Sequence, residues 1–291
     1  MADRDPPAIV ETDWLEAHLG DSDLRVYDCT VVLHYHEPGS ATPYHPESGR
    51  ADYDVEHIPG AGFLDLHGEL SDESSPYYFM LPPEEKLVAV LARNGIGEGT
   101  RVVLYSVGGI MWATRVWWML RAFGFDAAVL SGGFHKWKSE GRPLNSEPAS
   151  FPAARFVARP RSGLFVDKEA VLATLDGGEA LVVNALTEEY FRGKEPSRYG
   201  RPGRIPGSVN VPYPTLIDPE DTSFVPLDAA KAAFEAVGAD PSRPIIAYCG
   251  GGISATVGLL MLHRLGFEKL SLYDASLGEW ASDESLPIER D

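Results

Sequence analysis

An internal repeat is the feature that most constrains how this chain can fold. The segment 57–61 (HIPGA) recurs at 204–208 (RIPGS), and the segment 101–106 (RVVLYS) recurs at 244–249 (PIIAYC). Each copy of the second motif is followed by glycines and then by a mostly apolar segment that ends in Gly-Phe. The copies lie about 145 residues apart, and self-similarity at a fixed offset is typical of duplicated structural units. A chain of 291 residues is therefore predicted to form two similar domains.

Each copy alternates short apolar strands with helices. Residues 245–248 are apolar and bounded by turn residues, which is typical of a buried parallel strand. Residues 255–265 are apolar almost all round, which predicts a buried helix, and Gly266 is well placed to end it. We therefore predict α/β architecture, with two tandem domains that are each a mainly parallel sheet flanked by helices.

The domain boundaries are predicted from composition. The stretch 141–163 contains four prolines and little periodicity, which is typical of an interdomain linker. We assign the N-terminal domain to 8–142, the linker to 143–162 and the C-terminal domain to 163–291.

A loop-rich stretch is also predicted at 34–54, where three histidines occur: His34, His36 and His45. No carboxylate or cysteine spacing there supports a metal site. The histidines are therefore interpreted as side chains of a solvated loop, and no metal is predicted.

Charge and cysteine content exclude several classes of partner. The formal net charge of −18 argues against nucleic acid or an anionic membrane, because both are bound by basic surfaces. No apolar run is long enough for a membrane-spanning helix, and the first residues lack the apolar stretch of a secretory signal. A cytoplasmic protein is the expectation. Cys29 and Cys249 lie far apart and are predicted to be free thiols.

Cys249 opens a glycine-rich turn with the sequence CGGGIS. A lone cysteine after a buried strand is usually a small core residue. Three successive glycines change that interpretation, because backbone N–H groups can then converge on an anion at the positive end of the following helix. A thiol there is favoured as thiolate, so Cys249 is predicted to be a nucleophile. The amides predicted to stabilise it are those of Gly250, Gly251, Gly252, Ile253 and Ser254.

Related anion-binding turns fit this sequence poorly. A Walker P-loop needs a lysine after its glycines, and a dinucleotide fingerprint needs glycine where Cys249 stands. A cysteine phosphatase needs an arginine at the position of Ala255 to hold phosphate. Phosphatase activity is therefore not expected.

The order of these motifs resembles the rhodanese superfamily, in particular the tandem-domain thiosulfate and 3-mercaptopyruvate sulfurtransferases. The resemblance rests on the two IPG motifs, the helix-like segment 115–124 (RVWWMLRAFG), the segment 131–137 (SGGFHKW) and the six-residue loop. It implies two similar α/β domains of which only the second is active. Ser106, the counterpart of Cys249, agrees with an inactive first domain.

The resemblance also implies a chemistry and its substrates. The thiolate takes a sulfane sulfur from a small-molecule donor, is left as a persulfide, and passes the sulfur to cyanide or to a thiol acceptor such as a thioredoxin-like protein. No cofactor is implied. The segment 191–198 (FRGKEPSR) resembles the family's FRG…PEPR motif, which implies that Arg192 and Arg198 hold the donor's anionic group.

The uncharged loop resembles the mercaptopyruvate type more than the thiosulfate type, so 3-mercaptopyruvate is the favoured donor. Two members of that type's proton relay are replaced: Gly251 stands where it has serine, and Phe79 falls near its histidine. These departures support a second hypothesis, a non-catalytic rhodanese-like module that relays or binds sulfur for a protein partner.

Overall fold

Two five-stranded sheets, one in each half of the chain, organise the fold. The structure, a computed structural model, describes residues 7–291. The elements of the first half are β1 (Ile9–Val10), α1 (Thr12–His18), β2 (Leu24–Asp28), β3 (Val31–Tyr35), β4 (Tyr44–Ser48), α2 (Arg50–Val55), β5 (Ala61–Phe63), α3 (Glu84–Arg93), β6 (Arg101–Tyr105), α4 (Met111–Ala122), β7 (Ala128–Leu130) and α5 (Gly133–Ser139).

The second half repeats this alternation. Its elements are β8 (Phe165–Val166), α6 (Lys168–Leu175), β9 (Leu181–Asn184), α7 (Glu188–Phe191), β10 (Val209–Asn210), a 3-10 turn (Tyr213–Leu216), α8 (Leu227–Ala236), β11 (Ile245–Tyr248), α9 (Ala255–Arg264), β12 (Leu270–Tyr273) and α10 (Ser276–Trp280).

Both sheets have the same strand order. The first runs β1-β7-β6-β2-β5 and the second β8-β12-β11-β9-β10, and every pair in them is parallel. The central strands β6 and β11 are apolar and buried, as expected for strands covered by helices on both faces. The predicted tandem α/β fold and its internal repeat are confirmed.

Equivalent helices of the two halves pack against each other. α4 lies on α9, and Thr114 Oγ1 and Thr256 Oγ1 share a hydrogen bond of 2.7 Å. Both threonines are fully buried, and they occupy equivalent positions in the two copies. Self-contact of equivalent residues indicates an approximate two-fold axis between the halves. This arrangement places the first half beside the glycine-rich turn of the second.

The predicted linker is irregular but attached to the first half. Ala154 N donates to Ala92 O at 2.9 Å, and Arg161 N donates to Ala122 O at 2.7 Å. Phe156 is buried among core residues. These contacts order the segment along the helices of the first half. The domain boundaries themselves stay a prediction.

The stretch 34–54 is more regular than predicted. β3 and β4 form an antiparallel hairpin, in which His34 pairs with His45, and α2 follows directly, so only residues 36–43 are a loop. His34 Nε2 contacts Glu47 Oε2 at 2.7 Å, and both side chains are more than half exposed, so these histidines lie on solvated strands. No group of three metal-ligating side chains occurs among residues 7–291. Within the same residues, no helix is long and apolar enough to cross a membrane.

A buried carboxyl at the end of β2 provides a stability prediction. Burial raises the pKa of Asp28 from 3.8 to about 6, although hydrogen bonds from Thr30 oppose the shift. The folded state therefore binds this proton more tightly than the unfolded chain, and the corresponding stability is lost as pH rises from about 4 to about 6. The equivalent residue at the end of β9 is the neutral Asn184.

Asp28→Asn is expected to stabilise the protein at pH 7.5 by up to about 3 kcal/mol, the value of a two-unit shift. The gain should be about 1 kcal/mol smaller at pH 5, where Asp28 of the folded protein is already mostly protonated. Urea unfolding at the two pH values measures both quantities. An equal gain at both pH values, or a loss at pH 7.5, would contradict the assignment.

Candidate active site

Cys249 lies at the carboxyl end of the central strand β11 and directly before the turn that leads into α9. The carboxyl ends of parallel strands are where ligands bind in this class of sheet. The residue is 2% exposed, and its thiol is free. Cys29, the other free cysteine, is also buried, within the first half.

Ser276 holds the two ends of the turn together. Its Oγ accepts hydrogen bonds from the amides of Cys249 and Gly252, both at 3.1 Å, and donates to Tyr273 O at 2.8 Å. Ser276 has a left-handed φ of 53°, which its counterpart Gly133 shares at 52°. Glycine adopts this conformation without strain, whereas serine does not. The serine hydroxyl therefore supplies an anchor that the first copy lacks.

Four of the five predicted amides remain uncommitted. The N–H groups of Gly250, Gly251, Ile253 and Ser254 donate to no acceptor within residues 7–291, whereas that of Gly252 is taken by Ser276. The turn thus presents free donors next to Cys249 at the positive end of α9. The sequence analysis counted the Gly252 amide among the anion donors, but in the structure this amide donates to Ser276.

The three glycines of the turn are not equivalent. A Cβ on Gly250 would overlap the ring of Tyr199, and one on Gly252 would overlap the backbone carbonyl of Asp274. Gly252 also has a φ of 73°, where a side chain is strained. A Cβ on Gly251 would meet only the Tyr44 hydroxyl, at 3.1 Å.

Gly252→Ala is therefore expected to be the most damaging alanine substitution in the turn. Backbone cannot move away as a side chain can, so we expect a loss of about 2 kcal/mol or more in the free energy of unfolding. Gly251→Ala, the matched control, should cost less than about 1 kcal/mol. Urea unfolding of the two variants compares them, and equal losses would contradict the geometry.

Arg115 reaches from α4 of the first half into this turn. Its Nη1 donates to Gly252 O at 3.1 Å and pairs with Asp274 Oδ1 at 2.6 Å, while Nη2 donates to Phe79 O at 2.5 Å. The arginine side chain is completely buried, and that of Asp274 is 16% exposed. Asp274 Oδ2 also accepts from Leu81 N at 2.9 Å. The first half therefore fixes the conformation of the second half's turn.

A cavity of about 180 Å³ lies between the two halves at this turn. The first half contributes residues 40–44 and 76–78, including Tyr44, and the second contributes Arg198, Tyr199, Gly250 and Gly251. A larger cavity of about 570 Å³ surrounds the equivalent turn of the first half. There the residue in place of Cys249 is Ser106, whose hydroxyl donates to Gly109 O at 2.7 Å. The smaller cavity is therefore the candidate site.

The structure separates the two predicted anion-binding arginines. Arg198 lines the cavity, where its Nε donates to His36 O and its Nη1 to Tyr190 Oη, both at 3.1 Å. Arg192 lies outside the cavity wall and pairs with Glu188 at 2.5 Å and with Asp291 at 3.7 Å. Arg192 therefore has two carboxylate partners and does not line the cavity.

Three tyrosines surround Cys249. Burial, followed by the electrostatic effect of Cys249, raises the pKa of Tyr44 and of Tyr213 above the usual tyrosine range. Burial also raises the pKa of Tyr199, with Tyr44 and then Cys249 as the next causes. All three phenols are therefore neutral hydrogen-bond donors at neutral pH.

Comparison with known proteins agrees with this geometry. The family model for the rhodanese-like domain matches residues 11–140 and again residues 172–283. The chain belongs to the rhodanese family. Each match contains every strand of one sheet except the first, β1 or β8, so the sequence repeat is a repeat of rhodanese-like domains.

Rhodanese-family relatives match over most of their length. The chain is 35% identical to 3-mercaptopyruvate sulfurtransferase of Homo sapiens, over 94% of this chain and 91% of the relative. It is 34% identical to thiosulfate sulfurtransferase of Bos taurus, with the same coverage. The crystal structure of the 3-mercaptopyruvate sulfotransferase SseA from Escherichia coli superposes with a TM-score of 0.78 at 29% identity, over 93% of this chain and 99% of that one.

Three residues at this rhodanese site were missed from the sequence: Ser276, Arg115 and Tyr44. An arginine within the otherwise apolar segment 115–124 was a usable signal, because a buried guanidinium requires partners. Tyr44 lies in the stretch interpreted as a solvated loop, and no motif marks Ser276. Their roles depend on contacts between segments that are distant in sequence.

Proposed function

We propose that this rhodanese is a sulfurtransferase that carries a sulfane sulfur as a persulfide on Cys249. The supporting observation is the position of Cys249, beside four uncommitted amides at the start of α9. Preorganised N–H donors stabilise an anion without rearranging, and they suit both a thiolate and a persulfide anion. The cavity beside the turn provides a place for a small donor.

The proposed reaction has two steps. The Cys249 thiolate attacks the donor sulfur, a new S–S bond forms, and the bond between that sulfur and the rest of the donor breaks. With 3-mercaptopyruvate, the electron pair of the C–S bond leaves as the enolate of pyruvate. The donor thiol loses one proton as the persulfide anion forms, and the enolate gains one proton at carbon to become pyruvate. Cyanide or a thiol acceptor, such as a thioredoxin-like protein, then removes the outer sulfur and restores the thiolate.

We favour 3-mercaptopyruvate over thiosulfate as the donor. Arg198 is the one cationic side chain that residues 7–291 contribute to the cavity wall, and the turn itself carries no charge. One guanidinium matches the single carboxylate of 3-mercaptopyruvate better than the dianion thiosulfate.

Substitution of the two arginines tests the anion contact. Arg198→Ala is expected to lower kcat/KM for 3-mercaptopyruvate about 30-fold, since a charged hydrogen bond contributes about 2 kcal/mol. Arg192→Ala, the matched control from the same segment, should change kcat/KM less than about threefold. A larger effect at Arg192 than at Arg198 would overturn the assignment. Turnover by neither donor, together with loading of Cys249 by a protein persulfide, would instead support a sulfur-relay module.

A further inference from the structure

The leaving enolate needs a hydrogen-bond donor. This inference rests on the proposed function with 3-mercaptopyruvate as donor. As the C–S bond breaks, negative charge develops on the carbonyl oxygen of the departing pyruvate. A donor placed against that oxygen accelerates the step, because the interaction is strongest in the transition state. The amides of the turn face the sulfur anion, so the enolate oxygen requires a separate group.

The Tyr44 hydroxyl is an unpartnered polar group at the cavity. Tyr44 is the first residue of β4 in the hairpin of the first domain, is 4% exposed, and lines the cavity wall. Its hydroxyl donates no hydrogen bond within residues 7–291, and Tyr44 Oη is not among the fully buried atoms that lack a partner. The hydroxyl is therefore open to the cavity, where it is available to donate to a bound ligand.

The missing side chain of Gly251 gives this hydroxyl its access to the turn. A Cβ at Gly251 would fall 3.1 Å from Tyr44 Oη. A hydroxyl on a short side chain at Gly251 would therefore occupy nearly the same space as the Tyr44 hydroxyl. In this structure the first domain fills that space with Tyr44.

We propose that the Tyr44 hydroxyl is a catalytic hydrogen-bond donor to the oxygen of the leaving enolate. Tyr44 keeps its proton throughout, so the balance of the reaction is unchanged. Tyr199 is the nearest competitor for this role. Its ring and hydroxyl lie against Gly250, the first glycine of the turn, whereas the Tyr44 hydroxyl lies against Gly251.

The two half-reactions separate this role from a structural one. With Tyr44→Phe, the single-turnover rate of Cys249 persulfide formation from 3-mercaptopyruvate should fall about 30-fold or more. Discharge of the preformed persulfide to cyanide should change less than about threefold, because no enolate is formed. Tyr199→Phe, the competing donor, should slow loading less than Tyr44→Phe does. Tyr53→Phe, which removes a buried hydrogen bond to Ala61 O outside the cavity wall, should change both steps less than threefold.

A double variant provides a second readout. Gly251→Ser alone should slow loading by crowding Tyr44. Added to Tyr44→Phe, it should raise the loading rate at least about fivefold above that of Tyr44→Phe alone. Equal losses in both half-reactions, a larger loss with Tyr199→Phe, or the absence of any rescue would overturn the inference. A wild-type protein that is not loaded by 3-mercaptopyruvate at all would overturn the proposed donor, and with it this inference.

Discussion

Replacing Cys249 by serine is expected to abolish sulfur transfer, with a loss of at least about 10³-fold in turnover. A serine hydroxyl is not ionised at neutral pH and cannot form a persulfide, so both half-reactions lose their carrier. The serine fits the same space beside the amides of Gly250 and Gly251, so the fold should be retained. Thiocyanate formation from 3-mercaptopyruvate and cyanide measures the effect.

Cys29→Ser is the matched control for this substitution. Cys29 is completely buried, and burial together with the charge of Asp28 raises the pKa of its thiol. A neutral buried thiol is unreactive, so turnover should remain within about twofold of the wild type. If Cys249→Ser retains activity, or if Cys29→Ser loses it while the protein remains folded, the assignment of Cys249 as the nucleophile is wrong.

Replacing Arg115 by methionine is expected to have the second-largest effect. The substitution leaves the Asp274 carboxylate and the carbonyls of Gly252 and Phe79 without their guanidinium partner. Removing one member of a buried ion pair costs about 3–5 kcal/mol, so the free energy of unfolding should fall by about that amount. Urea unfolding measures this loss.

The activity of the Arg115→Met protein should also fall, by about 10-fold or more in kcat at a temperature where it is folded. The change in KM should be smaller, because Arg115 contacts the turn and not the cavity. Arg121 lies on the same helix as Arg115, is more exposed and pairs with Asp126. Arg121→Met should therefore lower the free energy of unfolding by less than about 1 kcal/mol. Equal effects of the two substitutions would show that Arg115 does not position the turn.

Local sequence patterns predicted much of this molecule. The repeat, the buried strand 245–248 and the apolar helix 255–265 led to the tandem α/β fold because periodicity and turn residues act over short stretches. Cys249 and its glycines were recognisable for the same reason, since strand, turn and helix start are contiguous. The hairpin at 31–48 was missed because its stability comes from cross-strand pairs and from contacts with the second domain, such as that of Arg198 with His36 O.

The remaining parts of the site depend on how the two domains meet. Arg115 and Tyr44 reach the turn only because α4 packs on α9 across an approximate two-fold axis. Arg192 and Arg198 share one motif-like segment, yet only Arg198 lines the cavity, whereas Arg192 pairs with Glu188 and Asp291. Which of two neighbouring arginines faces a cavity leaves no periodic signal in the chain.

The mass of the intact protein after incubation with a sulfur donor tests the central claim most directly. Wild-type protein treated with 3-mercaptopyruvate or thiosulfate should gain the mass of one sulfur atom, and cyanide or dithiothreitol should remove it. Cys249→Ser should gain none, whereas Cys29→Ser should behave like the wild type. A folded wild-type protein that gains no sulfur from either donor, or a Cys249→Ser protein that gains one, would contradict the account.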